Sequence, residues 1–325
     1  MDIDRFVAEN RAGWERLDQL TARHRRLSGH EVNELTILYQ KTAGDLAYAQ
    51  AHFSDRRLKE ALTYRVAGTA AVLYGAKRST WRTVYRFLYE TFPLAVVRAR
   101  WLVLASALAL FLPAVATGAW VAHSHTVLSA IGSPAVRQAY VDHDFRSYYS
   151  SQPSADFGTE VYLNNVEVAM EAFAGGFCFG LLTLFFLAYN GANLGLAAGL
   201  FYAAHKPAEF WGLVTPHGLL EMSSVVVAGA AGLKIGWALV KPGDRARSQA
   251  VYEEGREAVV LALGTVLTLA VAGSIEGFVT GSPLPTVARV GIGVGVEAAF
   301  LGWVVLCGRA AARRAYRRPV ALACR

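Results

Sequence analysis

The chain has 325 residues, of which 54% are hydrophobic and 18% charged, with a formal net charge of +7. Those averages admit one large soluble domain or two, but the distribution does not: residues 1–100 are densely charged, while the aliphatic runs fall in the rest. The basic excess does not indicate nucleic acid, because 17 of the 32 Lys and Arg lie in residues 1–100, four in 241–256 and six from Arg309 onward.

Residues 1–78 carry helical periodicity, with Leu35, Leu38, Tyr39, Leu46, Tyr48 and Ala49 at helix spacing, and predict a small packed helical domain. Ser79 and Thr80 offer an N-cap for an amphipathic helix over 80–93. Its apolar face is Trp81, Val84, Tyr85, Leu88 and Phe92, with Arg82 and Arg86 off that face and Pro93 at its end. This element reads either as an in-plane membrane helix or as a core helix of the N-terminal region.

Residues 101–122, 166–189, 218–240, 257–279 and 287–308 are each about long enough to cross a hydrocarbon core of roughly 30 Å. Segment 123–165 has only Arg137 and Arg146, and turn 282–286 has no basic residue. The positive-inside rule then puts both termini and the 241–256 loop in the cytoplasm, which demands an even number of spans. The sixth is expected at 193–214, short or broken because of Pro207 and its charged neighbours. With no secretory signal before residue 101, the first span is expected to direct insertion.

The expected fold is therefore an all-α polytopic bundle. A cytoplasmic region (1–100) precedes the transmembrane part (101–308), and a basic tail (309–325) follows it. Segment 123–165 is external, either a contact for envelope partners or a solvated connector. The lipid bilayer is an implied partner. Glycines at three- and four-residue spacing point to close helix packing within one chain, with homo-oligomerisation as a secondary use. Cys178, Cys307 and Cys324 are too scattered for a disulfide framework. The run Gly291–Gly295 lacks the third-glycine spacing of a nucleotide loop.

Ionisable groups in spans are the first place to look for function. Glu167, Glu171, His217, Glu221, Glu276 and Arg289 are expected to share the outer leaflet, with Asn164, Asn165, Asn190, Asn193 and Glu297 as secondary polar positions. Glu167 with Glu171, and His217 with Glu221, are four apart and so stack on one helix face. Three uses compete: structural hydrogen bonding within the bundle, a proton or ion path, and a metal site. A single histidine supports zinc poorly, the H-E-x-x-H pattern of zinc proteases is absent, and neither metal nor cofactor is assigned. The expectation is one pocket holding His217, Glu221 and Glu276, joined by Glu171 or Arg289.

The chain resembles the stage II sporulation protein M family. The resemblance rests on Asn164-Asn165 followed by the Phe173–Gly180 stretch, on Asn190-Gly-Ala-Asn-Leu-Gly195, on Pro216-His-Gly-Leu-Leu-Glu221 and on Ile275-Glu-Gly-Phe-Val-Thr280. Thr63 and Gly277 depart from the residues expected there. The resemblance implies a non-enzymatic scaffold of the bacterial cell membrane that works with envelope proteins such as peptidoglycan hydrolases, or with a MoxR-type ATPase system. A channel, transporter or lipid-handling protein is the alternative, separable from a scaffold by a continuous polar lumen running past Glu297 to Asn190 and Asn193.

Overall fold

A computed structural model describes residues 2–24, 27–73, 81–148 and 154–322; Tyr74, Ser79, Thr80 and Cys324 lie outside them. It divides into two compact units, Met1–Thr83 and Val84–Arg325.

The first unit packs helices α1 (Ile3–Ala22), α2 (Gly29–His52) and α3 (Arg56–Leu73). Ser28 caps α2 in a capping box with Glu31, which satisfies two otherwise unpaired backbone N–H groups. Phe6, Trp14, Leu17, Leu20, Leu35, Ala49 and Leu62 are buried between the helices. The Trp14 indole N–H donates to Asp45 at 2.8 Å, and Arg16 holds Glu34 through two 2.8 Å bonds.

The second unit begins within α4 (Trp81–Arg86), which a π turn (Phe87–Thr91) joins to α5 (Phe92–Arg98). Pro93 therefore does not end the 80–93 helix: the wider π turn relieves the clash a proline ring makes with the preceding turn. The predicted apolar face is not buried as a set either. Phe92 is buried, whereas Trp81 and Tyr85 are exposed. The Phe92 ring fills the space beside Gly264, and Ala95, Val96 and Ala99 join the same core, so 84–100 belong with the bundle rather than with the N-terminal region.

The bundle follows: α6 (Arg100–His123), then short α7 (His125–Ile131), α8 (Pro134–Ala139), a π turn (Tyr140–Asp144) and α9 (Phe145–Tyr148). The long helices α10 (Ser154–Ala174), α11 (Leu181–Ala203), α12 (Pro207–Val240), α13 (Arg247–Ile275) and α14 (Thr286–Leu322) complete it. No strand occurs among the described residues. Helices α6, α11, α12, α13 and α14 are long and apolar enough to cross a membrane. The protein is an all-α, polytopic membrane bundle.

The sixth long element is not 193–214. Residues 204–206 form a turn, with His205 at φ 58°, so that stretch is the end of α11 and the start of α12. Nor is 166–189 one span. It breaks at a 3₁₀ turn (Gly175–Phe177) followed by Phe179 and Gly180, both at positive φ, a conformation that glycine adopts at no steric cost. The sixth long helix of the bundle is α10, whose 21 residues at about 1.5 Å each are about as long as a core of roughly 30 Å is thick, although it is not one of the five helices whose length and composition suit a crossing.

Two ends can now be named. The near end carries the α10–α11 turn and the 241–246 turn; the far end carries 204–206, 281–285 and α7 to α9. Within α10, Gly158 lies beside Gly273 and Gly277 of the α13 region, and in the turn after it Gly176 lies beside Gly232 of α12. Helices α6 and α11 pack so closely that any side chain at Gly191 would meet the Leu110 carbonyl, a close-approach device typical of helices in lipid. Segment 123–165 is not a plain connector: Val141 and Phe145 pack on Phe201 and Phe210 over the far end, and 154–165 belong to α10.

Candidate polar site of the bundle

The α12–α13 interface is a buried polar seam in an otherwise apolar bundle. On α12, His217, Glu221 and Ser224 recur at spacings of four and three, which places them on one helix face. Opposite them lie Thr265 and Thr268 of α13, and Glu276 and Thr280 of its terminal π turn (Glu276–Thr280). All seven are buried, with His217 at 4%, Glu221 at 7% and Glu276 at 2% exposure. Ser224 and Thr268 meet hydroxyl to hydroxyl at 2.6 Å.

His217, Glu221 and Glu276 each offer a ligand atom within 4.8 Å of the others. His217 Nδ1 lies 3.0 Å from the Thr280 hydroxyl, and its Nε2 lies 3.7 Å from Glu276 Oε1. From α10, the Asn165 amide donates to Glu221 Oε1 at 2.8 Å. The second carboxylate oxygen of Glu276 is buried without a hydrogen-bond partner among the described residues.

Three of the six expected cluster members therefore meet, and three do not join them. Glu167 and Glu171 are exposed on α10. The Gly175–Gly180 turn puts them in the last turns of that helix, at the near end and away from His217. Arg289 touches neither carboxylate: its guanidinium donates to the Thr280 carbonyl and, at 3.1 Å, to the Thr286 hydroxyl, thereby fixing the residue that holds His217.

The secondary positions also scatter. Asn164 is exposed on α10, Asn190 donates to the Phe186 carbonyl of its own helix at 2.9 Å, and Asn193 is exposed. Glu297 accepts from the Ser223 hydroxyl at 2.6 Å and lines a cavity of about 590 Å³ between α6, α11, α12 and α14. That cavity is lined by none of His217, Glu221 and Glu276. Lys234 of α12 pairs with Glu254 at 2.8 Å and Glu257 at 3.0 Å at the near end.

Sequence reasoning missed Ser224, Thr265, Thr268 and Thr280. Hydroxyl residues are common in membrane helices, and the signal that was there is their helical register with His217, Glu221 and Glu276.

Residues 107–281 match the family described as Stage II sporulation protein M. Residues 4–75 match a domain of unknown function, DUF8413. An uncharacterized protein of Methanocaldococcus jannaschii is 28% identical over 142 residues, which cover 43% of this chain and 78% of the relative. No solved structure matches. The matched region contains Asn165, His217, Glu221, Glu276 and Thr280 and spans more than half of the sequence. The chain belongs to the stage II sporulation protein M family.

Proposed function

We propose that this protein is a non-enzymatic scaffold of the cell membrane that recruits a second membrane or envelope protein along α10. The observation that carries this reading is the outer face of that helix. Glu160, Asn164, Glu167 and Glu171 recur at spacings of four, three and four, and all are exposed. A carboxylate facing hydrocarbon is costly, so groups of this kind turn toward protein or water. A partner helix presenting basic or amide side chains would cover this stripe; a second copy would set like charges against each other.

The interior argues against a transport path. Among the described residues, the His217 cluster, the Glu297–Ser223 pair and Asn190 make separate, local contacts, and Asn193 lines a different cavity from Glu297. The proposed orientation places the near end, both termini and residue 250 in the cytoplasm. It rests on the basic residues of 1–100, 241–256 and 309–325. By resemblance, the proposed partners are envelope proteins such as peptidoglycan hydrolases, or a MoxR-type ATPase system.

The test is affinity purification from native membranes of the wild type and of Glu167→Leu with Glu171→Leu. The scaffold reading expects defined membrane or envelope proteins with the wild type and their loss from the double variant at equal expression. Glu221-dependent ion or proton flux in proteoliposomes, without a stable partner, would favour the transport reading.

A further inference from the structure

We propose that His217, Glu221 and Glu276 bind one divalent transition-metal cation inside the bundle, for which zinc is the first probe. The inference stands on geometry that the scaffold reading does not use. Each of the three side chains is more than nine-tenths buried, and their ligand atoms come within 4.8 Å of one another. Ligands about 2.0–2.2 Å from a tetrahedral zinc lie roughly 3.5 Å apart, so a contraction of about 1 Å would bring the three atoms to ligand spacing, with the fourth position open to water.

Charge balance admits such a cation. Two carboxylates in a dry interior need protons or a cation, since the desolvation of each ion costs several kcal/mol. No lysine or arginine pairs with either carboxylate among the described residues. Arg289 donates to two neutral acceptors, the Thr280 carbonyl and the Thr286 hydroxyl, and its buried Nε has no hydrogen-bond partner among those residues, while Lys234 pairs with Glu254 and Glu257. One imidazole nitrogen with two carboxylate oxygens is a donor set for zinc, manganese or ferrous iron, and the two negative charges match a divalent ion.

The surroundings are arranged as metal sites are. The metal-binding tautomer of His217 would donate its Nδ1–H to the Thr280 hydroxyl, 3.0 Å away, and turn the lone pair of Nε2 toward Glu276. Asn165 orients Glu221, and Arg289 anchors Thr280 through its carbonyl. One buried Glu276 oxygen has no hydrogen-bond partner among the described residues, which leaves that carboxylate capacity to engage a cation.

The experiment uses the full chain, purified in detergent without chelator from cells grown in zinc, manganese and iron. Elemental analysis should find about one equivalent of a divalent transition metal per chain. Adding zinc to chelator-treated protein should raise its melting temperature. Glu276→Gln and His217→Ala should lose the metal, while Glu297→Gln and Glu171→Gln keep it. Thr280→Val and Asn165→Ala, which leave all three ligands in place, should weaken zinc affinity about 10–100-fold. If the triad variants fail to fold, the metal content of the wild type and the response of these two variants still decide the matter. Monodisperse wild type with no stoichiometric metal and no zinc response, together with a protonated-carboxyl infrared band that Glu276→Gln removes, would overturn the site in favour of a shared proton. Loss of partners from the α10 variants with the metal retained would separate the two proposals.

Discussion

The Asn165 side-chain amide, on α10, donates to a buried carboxylate oxygen of Glu221, on α12, at 2.8 Å. This bond ties α10 to the polar seam, so the helix whose outer face is acidic is held by an inner face that is also polar. Asn165→Leu removes the donor and leaves a buried carboxylate oxygen unpaired, with an expected cost of about 1–3 kcal/mol. Thermal denaturation in detergent checks this, and Asn164→Leu, at an exposed position one residue away, should change little.

Cys178 is exposed in the turn between α10 and α11. As the sole cysteine of the chain it should react with an impermeant maleimide only after the cytoplasmic side is opened, as should a cysteine at position 250. A cysteine at Glu209 should react from outside. Labelling of Cys178 in intact cells would reverse the proposed orientation.

Lys206, in the turn before α12, pairs with Asp142 of the 123–165 segment at 2.7 Å. Its ammonium holds the Asp142 carboxyl below the usual carboxylate value, helped by Gln138, and the same pair raises the Lys206 ammonium. A carboxyl depressed in the folded state stabilises it above its unfolded value near 3.8 and loses that contribution as pH falls through the folded value. Protease protection of the α7–α9 region should therefore weaken in that acidic window, and Asp142→Asn should remove that part of the pH dependence. Unchanged acid sensitivity in Asp142→Asn would show that another group controls the segment.

Gly191 packs its backbone on the Leu110 carbonyl of α6. Gly191→Ala should force α6 and α11 apart at a cost of about 1–3 kcal/mol. Gly302→Ala, on α14 with open space around it, should be neutral. Comparison of folded yield and melting temperature for the two variants checks the contrast.

Much of this architecture is local and so is written in the sequence. Hydropathy is a sum over neighbouring residues, which is why α6, α12, α13 and α14 are visible as runs. The N-terminal helices show their period in Leu35, Leu38 and Ala49. The pairing of His217 with Glu221 follows from helix spacing alone. The break at Gly175–Gly180 was equally present as glycines, yet glycine in a membrane helix serves close packing as readily as it serves a turn.

Only the tertiary structure decided which side of α10 faces the bundle, and therefore that Asn165 meets Glu221 while Glu167 and Glu171 point away. It also decided that Glu276 and Thr280, 59 and 63 residues beyond His217, sit against it. The physical reason is that the cost of a carboxylate depends on what surrounds it. The same residue on the same kind of helix is buried in a polar seam or exposed on an outer face according to where a turn 10–60 residues away sends the chain.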